Sequence, residues 1–295
     1  MNKKNEGQTF IFVVSAGRSG QSNFSQLLAQ AYPTSYVAFE EPQLRYILPN
    51  FLNWPERKFR RAFIETDELL GRGRVLTAFS QNDRPLLELY GLKKFNWLRN
   101  KMSNQGCDIC FEVNKHFLHG LHVGMESVIR PNHQVVHLVR DPLLNMRSYL
   151  NRNKNFYLDN GAPDCEFNEI KLDPSLLTKG QHYLHAWCEC YLRANRFAEK
   201  HKINKHTLLT QDLTDMKKMN IFFKKLCLPH EIIKPVEKTN TNQEQGFGET
   251  QLRDQDISDA LNFLDMLSVE TLAKLPLLSH FINQHSSRTL PEKRN

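Results

Sequence analysis

Short apolar runs along this chain alternate with longer stretches in which apolar residues recur every three or four positions. Thr9 to Ser15 is almost continuously β-branched or aromatic, which predicts a strand buried on both faces. Ala16 to Gly20 reads as a turn. From Ser22 to Ala31 the residues Phe24, Leu27, Leu28 and Ala31 share one helical face, and Tyr32-Pro33 closes the helix. Tyr36 to Phe39 predicts a second short strand ending at Glu40-Glu41-Pro42. Leu44 to Lys101 is helical in pattern, with breaks expected at Pro55, Gly71–Gly73 and Pro85. Asp108 to Val113 and Gln134 to Val139 are further apolar runs, the second followed by Arg140-Asp141-Pro142 and a helical pattern over Leu143 to Leu150. Asn151 to Gly180 is polar and punctuated by Pro and Gly, as expected of a long surface loop or lid. Gln181 to Lys200 predicts a long amphipathic helix carrying Trp187, and Thr207 to Thr210 a last strand.

Strands alternating with helices predict an α/β fold, a P-loop-like parallel sheet with helices on both faces. With no internal repeat and no long linker, the expectation is a single domain over residues 9–285, with 1–8 and 286–295 as flexible tails.

Composition narrows the class. Hydrophobic residues make up 40% and charged residues 24%, the balance of a globular chain rather than a disordered one. No apolar run approaches the ~18 residues of a membrane helix, and Phe10 to Val14 is too short for the core of a signal peptide. The expectation is a cytoplasmic protein without stable membrane insertion. The formal charge of +7 fits a polyanionic partner. Apart from Arg57 to Arg61, which reads as a solvated helix face, the basic residues form no dense block. No nucleic-acid-binding motif is present, so a small-molecule ligand is favoured over nucleic acid. Of six cysteines, Cys107 and Cys110 have CxxC spacing, but no second CxxC follows. Buried free thiols are the simpler reading, and no metal site is expected.

Two segments carry candidate chemistry. Ser15 to Ser22 (Ser-Ala-Gly-Arg-Ser-Gly-Gln-Ser) lies between a buried strand and a helix, where backbone N–H groups and the helix's positive end can converge on an anion. Gly17 and Gly20 allow close approach or positive φ. Ser19 and Ser22 offer hydroxyls, and Arg18 supplies a forked charge. Ser15 and Gln21 replace the first Gly and the Lys of a Walker A loop. About 120 residues later, Arg140 leaves the end of a strand, the edge where open α/β sheets bind ligands. Asp141-Pro142 then opens a helix as cap and first-turn proline. Ser148, two turns in, is placed to share one phosphate with Arg140.

Together these segments resemble the sulfotransferases that use 3′-phosphoadenosine 5′-phosphosulfate (PAPS). Arg18-Ser19-Gly20-Gln21-Ser22 is similar to the PRSGTT loop of the Golgi-type and bacterial branch, which holds the 5′-phosphosulfate. Gln21-Ser22 stands where that family has Thr-Thr. Val135 to Pro142 followed by Ser148-Tyr149 is similar to its second segment, in which the Arg and Ser hold the 3′-phosphate. Further likeness covers the Trp187 helix and Leu208 to Pro229, so the resemblance runs from about residue 9 to 230 and assigns nothing beyond Lys238. It implies PAPS as donor, a hydroxyl acceptor (sugar, tyrosine or small metabolite) and cofactor-binding roles for Gly17, Arg18, Ser19, Gly20, Gln21, Ser22, Arg140 and Ser148.

Sulfuryl transfer needs a base for the acceptor and positive charge for the leaving oxygen. Arg18 and Lys115 are the candidate cations. For the base, Glu40-Glu41-Pro42 with Arg45 resembles the Glu-Glu-x-Arg segment of tyrosylprotein sulfotransferases and favours Glu41. His116 in Asn114-Lys115-His116, near the catalytic His of cytosolic sulfotransferases, and Glu40 are the competing candidates. His119, His122, His137 and His185 read as structural or surface residues. Two other functions remain open: a degenerate P-loop nucleotide kinase or NTPase, with Asp141 as its metal-facing carboxylate, and a non-catalytic PAPS- or nucleotide-binding module.

Overall fold

The computed structural model describes residues 7–42, 55, 72–151, 163–231 and 251–289. In chain order its strands are β1 (Thr9–Val14), β2 (Tyr36–Phe39), β3 (Ile109–Val113), β4 (Gln134–Val139) and β5 (Asn204–Leu209). Its α-helices are α1 (Gln21–Ala31), α2 (Arg72–Ser80), α3 (Arg84–Gln105), α4 (Leu121–Gly124), α5 (Pro142–Leu150), α6 (Lys179–His201), α7 (Met216–Lys225), α8 (Asp254–Asp265), α9 (Val269–Ala273) and α10 (Pro276–Thr289). The expectations for Arg45, Arg57 to Arg61, residues 152–162 and the segment just after Lys238 lie outside the described residues.

The strands form one five-stranded sheet in the order β2-β3-β1-β4-β5, and every pairing is parallel. The expected α/β sheet with helices on both faces is what the chain forms. β1 is central because it is apolar on both sides. Phe10, Phe12 and Val14 enter one core, and Ile11 and Val13 enter the other. The Ile11 side is closed by Phe24, Leu27 and Leu28 of α1 and Phe222 and Phe223 of α7. The Phe12 side is covered by α2, α3, α5, α6 and the C-terminal helices through residues such as Phe79, Leu98, Met146, Trp187 and Phe263. The connections after β1 and β4 therefore leave on opposite faces. Such a switch opens a crevice beyond the carboxyl ends of the strands.

Several boundaries differ from the pattern, each for a local reason. Gly73 lies inside α2 rather than breaking it. Pro85 opens α3 instead of interrupting a helix: Asp83 caps it by accepting from the Leu86 N–H at 3.1 Å, and proline is tolerated in a first turn. β5 begins three residues before Thr207, because Asn204 to His206 pair with β4 at the sheet edge while keeping polar side chains there. α6 is set by a capping box in which Thr178 and Gln181 bond reciprocally. Beyond Lys238, where the sequence assigned nothing, α8, α9 and α10 pack on the Phe12 side. The guanidinium of Arg147 on α5 forms a bidentate pair with Asp256 of α8.

All six cysteines are free; five are buried as expected and Cys227 is exposed. No helix among the described residues is long and apolar enough to cross a membrane. The four histidines read as structural or surface residues are all interior. Burial holds the rings of His122 and His137 down to about 3, and those of His133 and His185 to about 4. The unfolded chain, with histidine pKa values of about 6.5, takes up protons that the folded chain refuses. These residues therefore favour folding fully above pH 6.5, and that contribution is lost as pH falls toward 4. Urea midpoints should drop steeply between pH 7.5 and 5, and His137→Leu should flatten that dependence; an unchanged slope would show that the ring is not neutral in the fold.

Candidate functional site

The site is built where β1 ends. The chain leaves Val14 into a turn whose backbone is left-handed at three positions, Gly17 (φ 73), Arg18 (φ 52) and Gly20 (φ 77), before α1 starts at Gln21. Left-handed backbone is uncommon outside glycine, so outside contacts must hold Arg18 there. Four consecutive carbonyls are tied back by four different side chains. The Tyr149 hydroxyl donates to Ala16 O at 2.9 Å, and Asn145 Nδ2 donates to Gly17 O at 2.8 Å. Arg140 Nη1 donates to Arg18 O at 2.8 Å, and Thr210 Oγ1 donates to Ser19 O at 3.0 Å. In a trans peptide the N–H points opposite to the C=O. Fastening the carbonyls of residues 17–19 thus turns the N–H groups of residues 18–20 away from those side chains, an arrangement of the kind that can receive an anion, while the Gly17 N–H is taken by Ser15 Oγ.

The sequence-predicted loop residues play different parts. Gly17 is obligatory: a Cβ there would stand 2.2 Å from the Tyr149 hydroxyl oxygen. The Ser19 hydroxyl donates to Gly17 O at 3.0 Å, so it shapes the loop. Ser15 does the same by accepting from the Gly17 N–H at 3.1 Å. Ser22 is exposed on the first turn of α1. Gln21 is buried, and its Nε2 has no hydrogen-bond partner among the described residues. Ser148 on α5 is also buried, with its Oγ likewise without a partner among them. Buried donors are rarely left unpaired, so both fit a site that a polar ligand completes.

Arg140 joins the two predicted segments, since its guanidinium reaches the loop directly. Burial lowers its pKa, with Asp141 and Tyr149 opposing the shift. It remains cationic, and desolvation strengthens its pull on an anion. Trp187 Nε1 donates to Arg140 O at 2.9 Å and fixes the strand end. Asp141 is fully engaged. Its Oδ1 caps α5 through the N–H groups of Leu143 and Leu144, and its Oδ2 hydrogen-bonds His285 Nε2 at 2.7 Å.

On the other side of β1, the end of β3 brings Lys115 to the loop. Its Cδ lies 3.6 Å from where a Gly17 Cβ would be, and its Nζ is 3.7 Å from Glu40 Oε1. His116 is buried, its N–H donates to Asn114 Oδ1 at 2.9 Å, and its ring meets that of His119 edge-on. The structure thus brings the loop, Arg140, Lys115 and Glu40 to the carboxyl ends of the strands, while the Glu41 carboxylate bonds Tyr36 of β2 and His116 is buried. Sequence reasoning missed Asn145, Tyr149 and Thr210. The signal available was the spacing of Asn145, Ser148 and Tyr149 at i, i+3 and i+4, one polar face on a helix otherwise apolar toward the core.

The sequence matches no family model and no curated protein. Among solved structures the chain is similar to a sulfotransferase domain from the curacin biosynthetic pathway, at 14% identity over 75% of this chain and 72% of that one, with a TM-score of 0.39. A likeness at that level carries no weight beside the strand order and the loop geometry.

The clash at Gly17 is testable apart from any ligand. Gly17→Ala should destabilise by more than the roughly 1–2 kcal/mol of left-handed backbone alone. Tyr149→Phe, which removes the obstructing oxygen, should recover part of that loss. In urea unfolding, the double variant should be less destabilised than the sum of the singles; additivity would show that the hydroxyl does not press on Gly17.

Proposed function

We propose that this protein is a sulfotransferase that moves the sulfuryl group of PAPS to an acceptor hydroxyl by in-line displacement. The observation that carries the reading is the fastening of the carbonyls of residues 16–19. It turns the N–H groups of residues 18–20 to one side at the start of α1, with the cations of Arg18, Arg140 and Lys115 at the loop. A neutral Gln21 stands where a Walker A loop has lysine, which suits a sulfuryl group better than the more highly charged γ-phosphoryl of a nucleoside triphosphate. The kinase reading needs Asp141 for a metal, and both oxygens of that carboxylate are already committed within the protein. Arg140 and the buried Ser148 hydroxyl would hold the 3′-phosphate, the loop the 5′-phosphosulfate, and Lys115 the charge that develops on the leaving oxygen. Glu40, Glu41 and His116 are the groups available to take the acceptor's proton.

PAPS and its product 3′-phosphoadenosine 5′-phosphate (PAP) should each raise the melting temperature without added metal. A ligand at a hundredfold over its Kd stabilises by about 2.7 kcal/mol. Arg140→Ala should weaken both by about 1.5–3 kcal/mol. Adenosine 5′-phosphosulfate, lacking the 3′-phosphate, should bind weakly and lose less than PAPS does on the substitution, its loss reporting only the bond from Arg140 to the loop. A shift with Mg-ATP but with neither PAPS nor PAP would overturn the reading, and an equal loss for both donors would place Arg140 in loop support rather than at the 3′-phosphate.

A further inference from the structure

Glu40 and Glu41 are adjacent in sequence and meet different surroundings. Glu41 folds back along the face of the sheet, where its carboxylate accepts from the Tyr36 hydroxyl. Burial, and then this carboxylate, raise the Tyr36 phenol, so it keeps its proton and keeps donating. The main-chain carbonyl of Glu41 accepts from the Lys94 ammonium, and Lys94 pairs with Glu112 at 3.2 Å in the interior. Asn114 Nδ2 completes that unit by donating to Glu112 at 3.0 Å. Among the described residues, the partners that hold Glu41 come from β2, through Tyr36, and from α3, through Lys94.

Glu40 is held in the opposite sense. Its backbone is left-handed (φ 46), and its N–H donates to Val113 O at 2.9 Å, the last residue of β3. Non-glycine residues seldom adopt this conformation, and they concentrate at functional sites. Here it aims consecutive side chains apart. The Glu40 carboxylate meets Lys115, whose stem passes the loop at Gly17. One lysine side chain spans the distance from the anion loop to Glu40.

We infer that Glu40 is the carboxylate that takes the acceptor's proton, and that Glu41 is a structural residue fixing the turn from behind. The assignment rests on the sulfuryl-transfer reading. In the step itself the acceptor O–H bond breaks and its proton passes to Glu40. The acceptor oxygen bonds sulfur as the bond from sulfur to the 5′-phosphate oxygen breaks, and that electron pair leaves with PAP. Lys115, positioned between Glu40 and the loop, meets the charge left on the phosphate oxygen.

PAP titrations test this without an acceptor. Affinities are measured by calorimetry for the wild type, Lys115→Met, Glu40→Gln, Glu41→Gln and the two double variants that combine Lys115→Met with each Gln change. Glu40→Gln and Lys115→Met should be coupled, their joint effect departing from the product of the singles by on the order of fivefold. Glu41→Gln should combine with Lys115→Met as independent changes, and it should lower the melting temperature. PAPS consumption, with p-nitrophenol or water as acceptor, should fall by roughly 10²–10⁴-fold in Glu40→Gln. Coupling of Lys115 to Glu41 but not to Glu40, or PAPS consumption that survives Glu40→Gln, would overturn the assignment. If the wild type consumes no PAPS, the coupling decides alone. A wild type that binds neither PAP nor PAPS removes the donor itself, and the assignment with it, an outcome recognisable because no variant is then needed.

Discussion

The loop after β1 depends on one constraint: the carbonyls of residues 16–19 are each fastened by a side chain from elsewhere in the fold. A turn between a buried strand and a helix does not adopt that geometry unaided, because two of its positions favour glycine and a third, Arg18, pays for its backbone with an outside bond. The bonds come from the ends or first turns of three other elements. Arg140 follows β4, Asn145 and Tyr149 lie on α5, and Thr210 follows β5. Each contributes about 1 kcal/mol, a small part of a domain's stability. Their joint effect is directional, since they decide which way a row of dipoles points.

That arrangement explains why the parallel sheet matters to the chemistry. Because β3, β1 and β4 run side by side in the same direction, Lys115, the loop and Arg140 emerge at one edge although they are scattered over more than a hundred residues of sequence. The cores on the two faces, alternating along β1, make this register unambiguous. Slipping a strand by one residue would exchange Phe12 with Val13 between the two cores.

Much of this was legible in the residues. β-branched and aromatic runs marked β1 and β4 because such strands are buried on both sides, and the loop and Arg140 stood out because glycine and arginine at strand ends have few other uses. The face on which a side chain points was not legible at Glu40-Glu41-Pro42. Both glutamates have the same chemistry, and their divergence comes from a left-handed backbone at Glu40 and a lysine, Lys94, more than fifty residues distant. Asn145 and Thr210 were equally hidden, since an amide or hydroxyl bonding a remote carbonyl leaves no periodic trace. The C-terminal helices escaped because their signal is ordinary amphipathicity with no motif attached.

α5 has two partners: on one side it supports the loop through Asn145 and Tyr149, and on the other it is gripped by the last helices through Arg147–Asp256 and Asp141–His285. This imposes an order on biogenesis. On the ribosome, the loop and the strands around it emerge well before α8 and α10, so the scaffold precedes its final brace. A nascent chain at that stage carries Arg147 without its carboxylate and an apolar α5–α6 surface without its cover. The helix that supports the loop is therefore fully braced only once α8 and α10 have folded back onto it.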